Sequence, residues 1–472
     1  RQKGLGGNET TLTQVDGTAN YADMVQNGST NVSSLTQTGG NDNSVESLQK
    51  GDENTVTTTQ SGKYSSITID QIGDGNKVTS DQQGTRKVVS AAQTGDNNIL
   101  DTKQHAVNSN LSVTVNATQE GNGNSAKTYQ SFVSDNLITL NQMGDDNTVV
   151  VEQHQSAGDV ADITQEGNSN LADVFQETVG RNNATATVVT TGDNNTVDID
   201  QTSSWSSSAS ATQTGNGNES VIAQDLGTRL VATAEQNGNG SNASITQGGI
   251  DNAASITQTG DDHISKIRQD VYGNRNANNV ANSIQTGSLN ESDIWQRGPS
   301  NQNTTNVTQG GSENEAVVSQ DGGNTSFATI TQSNIGNYAK TAQRDQGGAE
   351  IIVDQSGQDN YFLGNQRNSD DGLTDIEQSG NNNQAITLQA GRDNDIKVAQ
   401  SALKGDADIK QYGEDNAVTV TQSGDFNESD ILQDRGSVLN VASVTQSGIG
   451  LVGAVNQATI SQYGSNDMAT IM

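Results

Sequence analysis

Glutamine and asparagine carry the chemistry that this chain offers, because they recur at fixed spacing along its 472 residues. The repeating unit is Gln-x-Gly-x-x-Asn-x5-Gln. Copies begin at Gln71, Gln93, Gln119, Gln142, Gln165, Gln213, Gln247, Gln285, Gln309, Gln355, Gln378, Gln389, Gln411 and Gln422. A side-chain amide both donates and accepts hydrogen bonds. Repeated in register, each amide donates to one neighbour and accepts from the other, whereas a buried amide alone costs about 2 kcal/mol or more. The expected chemistry is therefore the building of ladders, which is assembly rather than catalysis. The amides expected to point inward are Gln71, Asn76, Gln82, Gln93, Asn98, Gln142, Asn147, Gln165, Asn170, Gln213 and Asn218 in the first half. In the second half they are Gln247, Asn252, Gln258, Gln309, Asn314, Gln320, Gln378, Asn383, Gln411, Asn416, Gln422 and Asn427.

Other candidates for chemistry are weaker. Asp-rich turns such as Gly144-Asp145-Asp146-Asn147 offer oxygen ligands for Ca²⁺, but the Gly-Gly-x-Gly-x-Asp nonapeptide does not recur, so turn chemistry is the better reading. His105, His154 and His263 share no metal-binding spacing, and His263 takes a place that Asn holds elsewhere. Gly121-Asn122-Gly123-Asn124 is a turn, since no helix follows to make it a phosphate loop. Asn-x-Ser/Thr triplets at Asn8, Asn218 and Asn427 follow from composition. Trp205, Trp295 and the eight Tyr are too sparse for a binding platform. No catalytic residue, metal site or cofactor is expected.

The elements that must position these amides are short strands. In Gln247–Gln258, counting in twos from Asn252 gives Asn252, Ala254, Ile256 and Gln258 on one face, with Ala253, Ser255 and Thr257 on the other. The same face recurs as Asn76, Val78, Ser80, Gln82 and as Asn416, Val418, Val420, Gln422. Between strands, glycine supplies positive φ and Asn or Asp tolerates the left-handed region. The turn glycines are Gly73, Gly95, Gly144, Gly167, Gly215, Gly249, Gly311, Gly380, Gly413 and Gly424. Pro299, the single proline, falls inside a turn. Gln142, Gln153, Gln165 and Gln176 show the alternation of strict and looser turns that makes a rung of about 23 residues. Irregular loops are expected between Gln104 and Gln119, between Gln269 and Gln285, and where Thr190 replaces a Gln; tightened turns are expected from Gln378 to Gln433.

Composition agrees. With 29% hydrophobic residues, no Cys and one Pro, the chain lacks the apolar mass of ordinary cores, yet its spaced Val, Ile and Ala argue against disorder. A net charge of −33 disfavours nucleic acid and anionic membrane as partners, and no apolar run long enough to insert into a bilayer is present. The fold class is all-β: a cross-β, self-stacking β-solenoid, with 1–472 read as a single array of about twenty repeats, 1–14 a partial first rung and 462–472 a partial last one. Neither end looks capped. Asn8, Leu12 and Gln14 at one end, and Gln446, Gln462 and Ile471 at the other, are the end-rung residues expected to recruit further strands. Any export signal lies outside the sequence shown.

The unit Gln-x-Gly-x-x-Asn-x-(Ala/Val)-x-(Val/Ile)-x-Gln, doubled into each rung, resembles the curlin repeat of bacterial curli fibre subunits. The resemblance covers nearly the whole chain. It implies a secreted subunit that polymerises outside the outer membrane into amyloid fibres of a biofilm matrix, with itself, a nucleator subunit and outer-membrane export machinery as partners. Two departures stand out: the array is far longer than the usual curlin, and the family's pore-targeting segment is not evident. A monomeric solenoid adhesin or ice- or glycan-binding surface is the alternative, and a polysaccharide-cleaving β-helix enzyme is a third reading. Both lack the outward row of like residues or the acidic cluster that they need.

Overall fold

A computed structural model describes residues 2–105, 112–177, 183–270, 278–298, 302–344, 347–448, 450 and 455–472. The chain divides into two compact units, residues 1–239 and 240–472. Both are β-solenoids built only of strands and turns among the described residues.

One rung explains the rest. Strand Leu137–Met143 turns Ile138, Leu140 and Gln142 inward, each at most 1% exposed, while Thr139 and Asn141 remain half-exposed. Strand Thr148–His154 does the same with Val149, Val151 and Gln153. Between them Gly144 at φ 105° and Asp146 at φ 57° reverse the chain, so the two inward faces meet. The next rung repeats the pattern in strands Val160–Glu166 and Leu171–Glu177, pairing Gln142 with Gln165 and Gln153 with Gln176 in parallel register. Parallel neighbours need a crossover connection, and the strand of the opposite sheet serves as that connection.

Consecutive strands thus alternate between two parallel sheets in each unit. In residues 1–239, one sheet runs from Gln2–Gly6 to Val231–Asn237 and the other from Glu9–Val15 to Glu219–Thr228. In residues 240–472, one runs from Asn242–Ile250 to Asn456–Gln462 and the other from Ala253–Asp261 to Met468–Ile471. The interior is a thin layer of Ala, Val and Ile bounded by Asn at one end of each strand and Gln at the other.

Glycine is needed in the strict turn for two reasons. The left-handed φ of Gly144 is costly for a side chain, and a Cβ there would collide with the carbonyl of Gly167 one rung on. Gly380 and Gly424 correct the expectation of positive φ at every turn glycine: they do not adopt it. Those turns keep only the second left-handed place, at Asn382 (φ 56°) and Phe426 (φ 56°), the counterparts of Asp146. What requires glycine there is space alone, since a Cβ would meet the carbonyls of Ala402 and Gly448.

The long intervals after Gln104 and Gln269 and the turn at Pro299 lie at least partly outside the described residues, at 106–111, 271–277 and 299–301. The strands flanking the first two remain in register, Lys87–Thr94 with Val113–Glu120 and Ala253–Asp261 with Val280–Ser288. The interval from Gln176 to Thr190 lies partly outside the described residues, at 178–182. Strand Thr185–Thr191 pairs without a shift to both neighbours, placing Thr190 between Gln165 and Gln213. Backbone register is carried by the whole strand, so one altered side chain leaves it intact.

Replacing Gly144 by Ala should destabilise the unit by about 2 kcal/mol or more, because the left-handed φ and the Gly167 carbonyl both oppose a Cβ. Urea unfolding of G144A beside D145A is the check. Equal effects of the two would show that glycine is not required there.

Candidate functional site

The inward glutamines form side-chain ladders. Gln71 Nε2 donates to Gln93 Oε1 at 2.9 Å, Gln93 to Gln119 at 2.7 Å, Gln119 to Gln142 at 2.8 Å and Gln142 to Gln165 at 3.1 Å. The opposite sheet carries its own ladder, Gln60 to Gln82 at 2.9 Å and Gln82 to Gln104 at 3.0 Å. In residues 240–472 the same bonds join Gln247 to Gln269 at 2.8 Å, Gln309 to Gln332 at 2.9 Å and Gln411 to Gln433 at 3.0 Å. The second amide proton crosses the core to the strand opposite: Gln142 reaches the carbonyl of Ser125 at 3.3 Å, and Gln411 that of Asp395 at 3.2 Å. Both donors and the acceptor of these amides are satisfied without a charge. Each bond contributes about 1 kcal/mol net, but an orphaned buried amide costs up to about 3 kcal/mol, so the ladder enforces register more than it adds stability.

Asparagine forms amide ladders too, as from Asn290 through Asn314, Asn337 and Asn360 to Asn383, and adds bonds to the turn backbone. Asn76 Oδ1 accepts the backbone N–H of Asn98 at 3.0 Å, and Asn76 Nδ2 donates to the carbonyl of Gly95 at 2.7 Å. Asn147 repeats this with the N–H of Asn170 at 3.0 Å and the carbonyl of Gly167 at 2.7 Å. Direct amide contacts, such as Asn170 Nδ2 to Asn147 Oδ1 at 3.0 Å, are additional. One methylene shorter than Gln, the Asn side chain reaches only the turn, and there it clamps the turn glycine of the next rung. The glycine column and the asparagine column are one device.

His263 shows how a substitute meets the same demand. It is buried, its Nδ1 accepts the N–H of Asn290 at 3.3 Å, and its Nε2 lies 3.2 Å from the carbonyl of Thr259, to which it donates in the matching tautomer. Burial pushes its pKa down, which keeps the ring neutral in that role.

A third ladder, outside the expected inward amides, runs along the exposed turns. The N–H of Asp74 donates to Asp96 Oδ1 at 2.8 Å, that of Asn122 to Asp145 Oδ1 at 2.7 Å, and that of Asn168 to Asp193 Oδ1 at 2.8 Å. Where Asp52 accepts the N–H of Ser29, that bond holds its carboxyl below the usual range. Among the described residues no cluster of three or more His or acidic side chains could hold a metal ion.

Every inward amide named from the sequence is buried. Of the end-rung glutamines, Gln446 and Gln462 are buried too, at 8% and 4% exposure, whereas Gln14 is exposed. Asn8 is half-buried, Leu12 is 48% exposed and Ile471 is half-buried. Gln26 and Gln49 start two further copies, with Asn31 and Asn54 in place and Gln37 and Gln60 closing them; the repeat spacing alone would have found them. The rings also lie closer than their sparseness suggests. His105, Tyr129, His154 and Phe175 follow one another at centroid distances of 5.9, 5.1 and 5.5 Å, because Tyr129 and Phe175 share one outward column, His105 and His154 the next, and stacked rungs bring them together diagonally.

Two buried side chains break the pattern. At Thr190 the column loses its amide, so Gln213 Oε1 and Thr190 Oγ1 have no hydrogen-bond partner. Lys87 takes an Asn place between Ser65 and Val113; its Nζ is buried and unpartnered, and burial pushes its pKa down to about 8. Below that value the folded chain carries the full penalty of a buried ammonium.

Thr190→Gln should therefore raise stability by about 1–2 kcal/mol in urea unfolding, with T190V giving less. No gain over T190V would mean that the ladder does not accept a restored rung. Lys87→Met should add roughly 2 kcal/mol at neutral pH. The sign follows from the depressed pKa: with Lys87 present, stability rises between about pH 8 and about pH 10.5, where the folded chain has released the proton and the unfolded chain still holds it. The Met variant should lose that part of the rise, measured as the difference between the two pH profiles.

The family model described as the curlin associated repeat matches residues 40–73, 51–84, 300–333, 370–401 and 406–434. These windows contain the units starting at Gln49, Gln309, Gln378 and Gln411, whose ladder bonds are described above or follow the same geometry. No curated protein matches the chain. Matches spread along the sequence, laid over rungs that repeat the same Gln, Gly and Asn geometry, make this chain a curlin-repeat protein.

Proposed function

We propose that this chain is a structural subunit of an extracellular, curli-like amyloid fibre, and that its activity is polymerisation rather than catalysis. The observation that carries the reading is the ladder itself. The bonds joining one rung to the next, backbone and glutamine alike, are the ones that a free rung edge would offer to another copy. A chain arriving largely disordered is templated on such an edge and adds rungs in register, with Gln14, Gln446 and Gln462 extending the glutamine columns. Biofilm matrix and surface adhesion are the setting that the curlin repeat suggests, with a nucleator subunit and outer-membrane export machinery as further partners. The recurrence of one spacing in both units supports reading 1–472 as one array. The monomeric adhesin reading is less well supported, since a typical outward column runs Thr139, Asp162, Thr187, Ser210 rather than one residue type.

Purified protein should form fibres after a lag that pre-formed seeds abolish, and the fibres should give a cross-β reflection near 4.8 Å. Soluble chain persisting at high concentration with seeds present would sink the proposal. Acidity should help. Burial raises the carboxyl pKa of Asp173, of Asp198, of Glu315 beside Glu291, and of Asp406 beside Glu428. A raised carboxyl pKa adds stability at low pH that is lost as pH rises through it. Lag times read by dye fluorescence should therefore shorten as pH falls from neutrality toward the ordinary carboxylate range.

A further inference from the structure

In residues 240–472, strands Tyr338–Arg344, Tyr361–Arg367, Gln384–Arg392 and Asp406–Glu414 lie side by side in one sheet. Their register stacks Lys340, Leu363, Ile386 and Asp408 in a single outward column: a cation, two apolar residues, an anion. The column beside it reads Tyr338, Tyr361, Gln384, Asp406, with the two tyrosine rings stacked 5.0 Å apart. At these places the two middle strands carry no charge, in a chain with 56 acidic and 23 basic residues. Leu363 and Ile386 are half-exposed and Tyr361 is 37% exposed.

We propose that this face binds the same face of a second copy, through a two-fold axis lying along the strand direction between the two middle strands. Such a rotation reverses the order of rungs but keeps each position along the strand. Lys340 then faces Asp408 of the second copy, Leu363 faces Ile386, and the Tyr338 hydroxyl faces Asp406. Each contact occurs twice, because a two-fold interface is self-complementary. Asp408 already holds Lys410 at 2.9 Å within its own strand and comes to lie between two ammonium groups. One rung further out Glu315 would face Glu428, and that repulsion confines the contact to four rungs.

Four rungs of about 4.8 Å and seven residues of about 3.3 Å give a face of roughly 400 Å². Stable complexes bury about 800 Å² per partner. A single contact is therefore weak, and it gains strength when many copies are held in register along a fibre. It joins bodies side by side, whereas growth uses sheet edges, so the two can be tested apart.

The test uses full-length K340D, D408K, an equimolar mixture of the two, and the double variant. Fibres seeded from each are scored by electron microscopy for side-by-side pairing, and subunit association is followed by sedimentation. Each single variant should lose about tenfold in pairing, as two attractive contacts become repulsive. The mixture and the double variant should recover it, since both restore opposite charges across the axis. Pairing unchanged in the single variants, no recovery in the mixture, or no pairing in the unaltered chain would each overturn the proposal. Seeded elongation, measured on the same samples, should be equal throughout; its absence in all of them would count against fibre formation itself.

Discussion

A buried primary amide has two protons to give and an oxygen to satisfy, and in a dry layer its simplest complete partner is its own copy one rung away. That demand orders the rest of this fold. It requires parallel strands, because only parallel stacking returns the same side chain to the same place at every step. It requires strands held in register but tolerates turns of different length, which is why the offset from Gln93 to Gln119 can be 26 residues while that from Gln71 to Gln93 is 22. The turn glycines follow from the same spacing: when rungs stack this closely, the carbonyl of one occupies the Cβ position of another.

The demand also explains how a chain with little apolar mass keeps a defined interior. Ala, Val and Ile supply a layer one side chain deep, and the amide columns at its borders make any slip of register leave unsatisfied groups on many rungs at once. In-register stacking has a cost on the outer faces, where like charges meet. Asp173 lies beside Asp198, Glu291 beside Glu315 and Asp406 beside Glu428, and all the shifted members of these pairs have raised carboxyl pKa values. In part of the turn column alternation eases the problem, Asp145, Asn168, Asp193, Asn216, which places a neutral amide between charges, whereas Asp52, Asp74 and Asp96 stack in succession.

Much of this was legible in the residues. Period two around Asn252, Ala254, Ile256 and Gln258 specified strand and inward face, and the distance between Gln marks specified the rung. What escaped depended on atoms rather than spacing. The Asn role as a clamp on the turn backbone rests on side-chain length, which a pattern of letters does not display. The non-positive φ of Gly380 and Gly424 reflects a second turn geometry behind the same Gln-x-Gly-x-x-Asn motif. The letter at Thr190 departs from the pattern, yet the strand around it supplies enough backbone pairing to hold register. Lys87 went unnoticed because its place is in the looser turn, where Asn, Ser, Val and Asp all occur.

A rung does not encode whether its neighbour belongs to the same chain. Backbone groups, glutamine columns and asparagine clamps recur with few exceptions among the described rungs, so the ladder alone cannot tell one partner from another or limit where stacking ends. Discrimination must reside in side chains that the ladder leaves free to vary, which are the outward ones. There the columns differ from place to place: a train of rings at His105, Tyr129, His154 and Phe175, the Trp295 ring between Arg268 and Arg297, and the charge-ordered column from Lys340 to Asp408. Inward uniformity supplies affinity without address. Outward variety, held at fixed spacing by that uniformity, is where address is written.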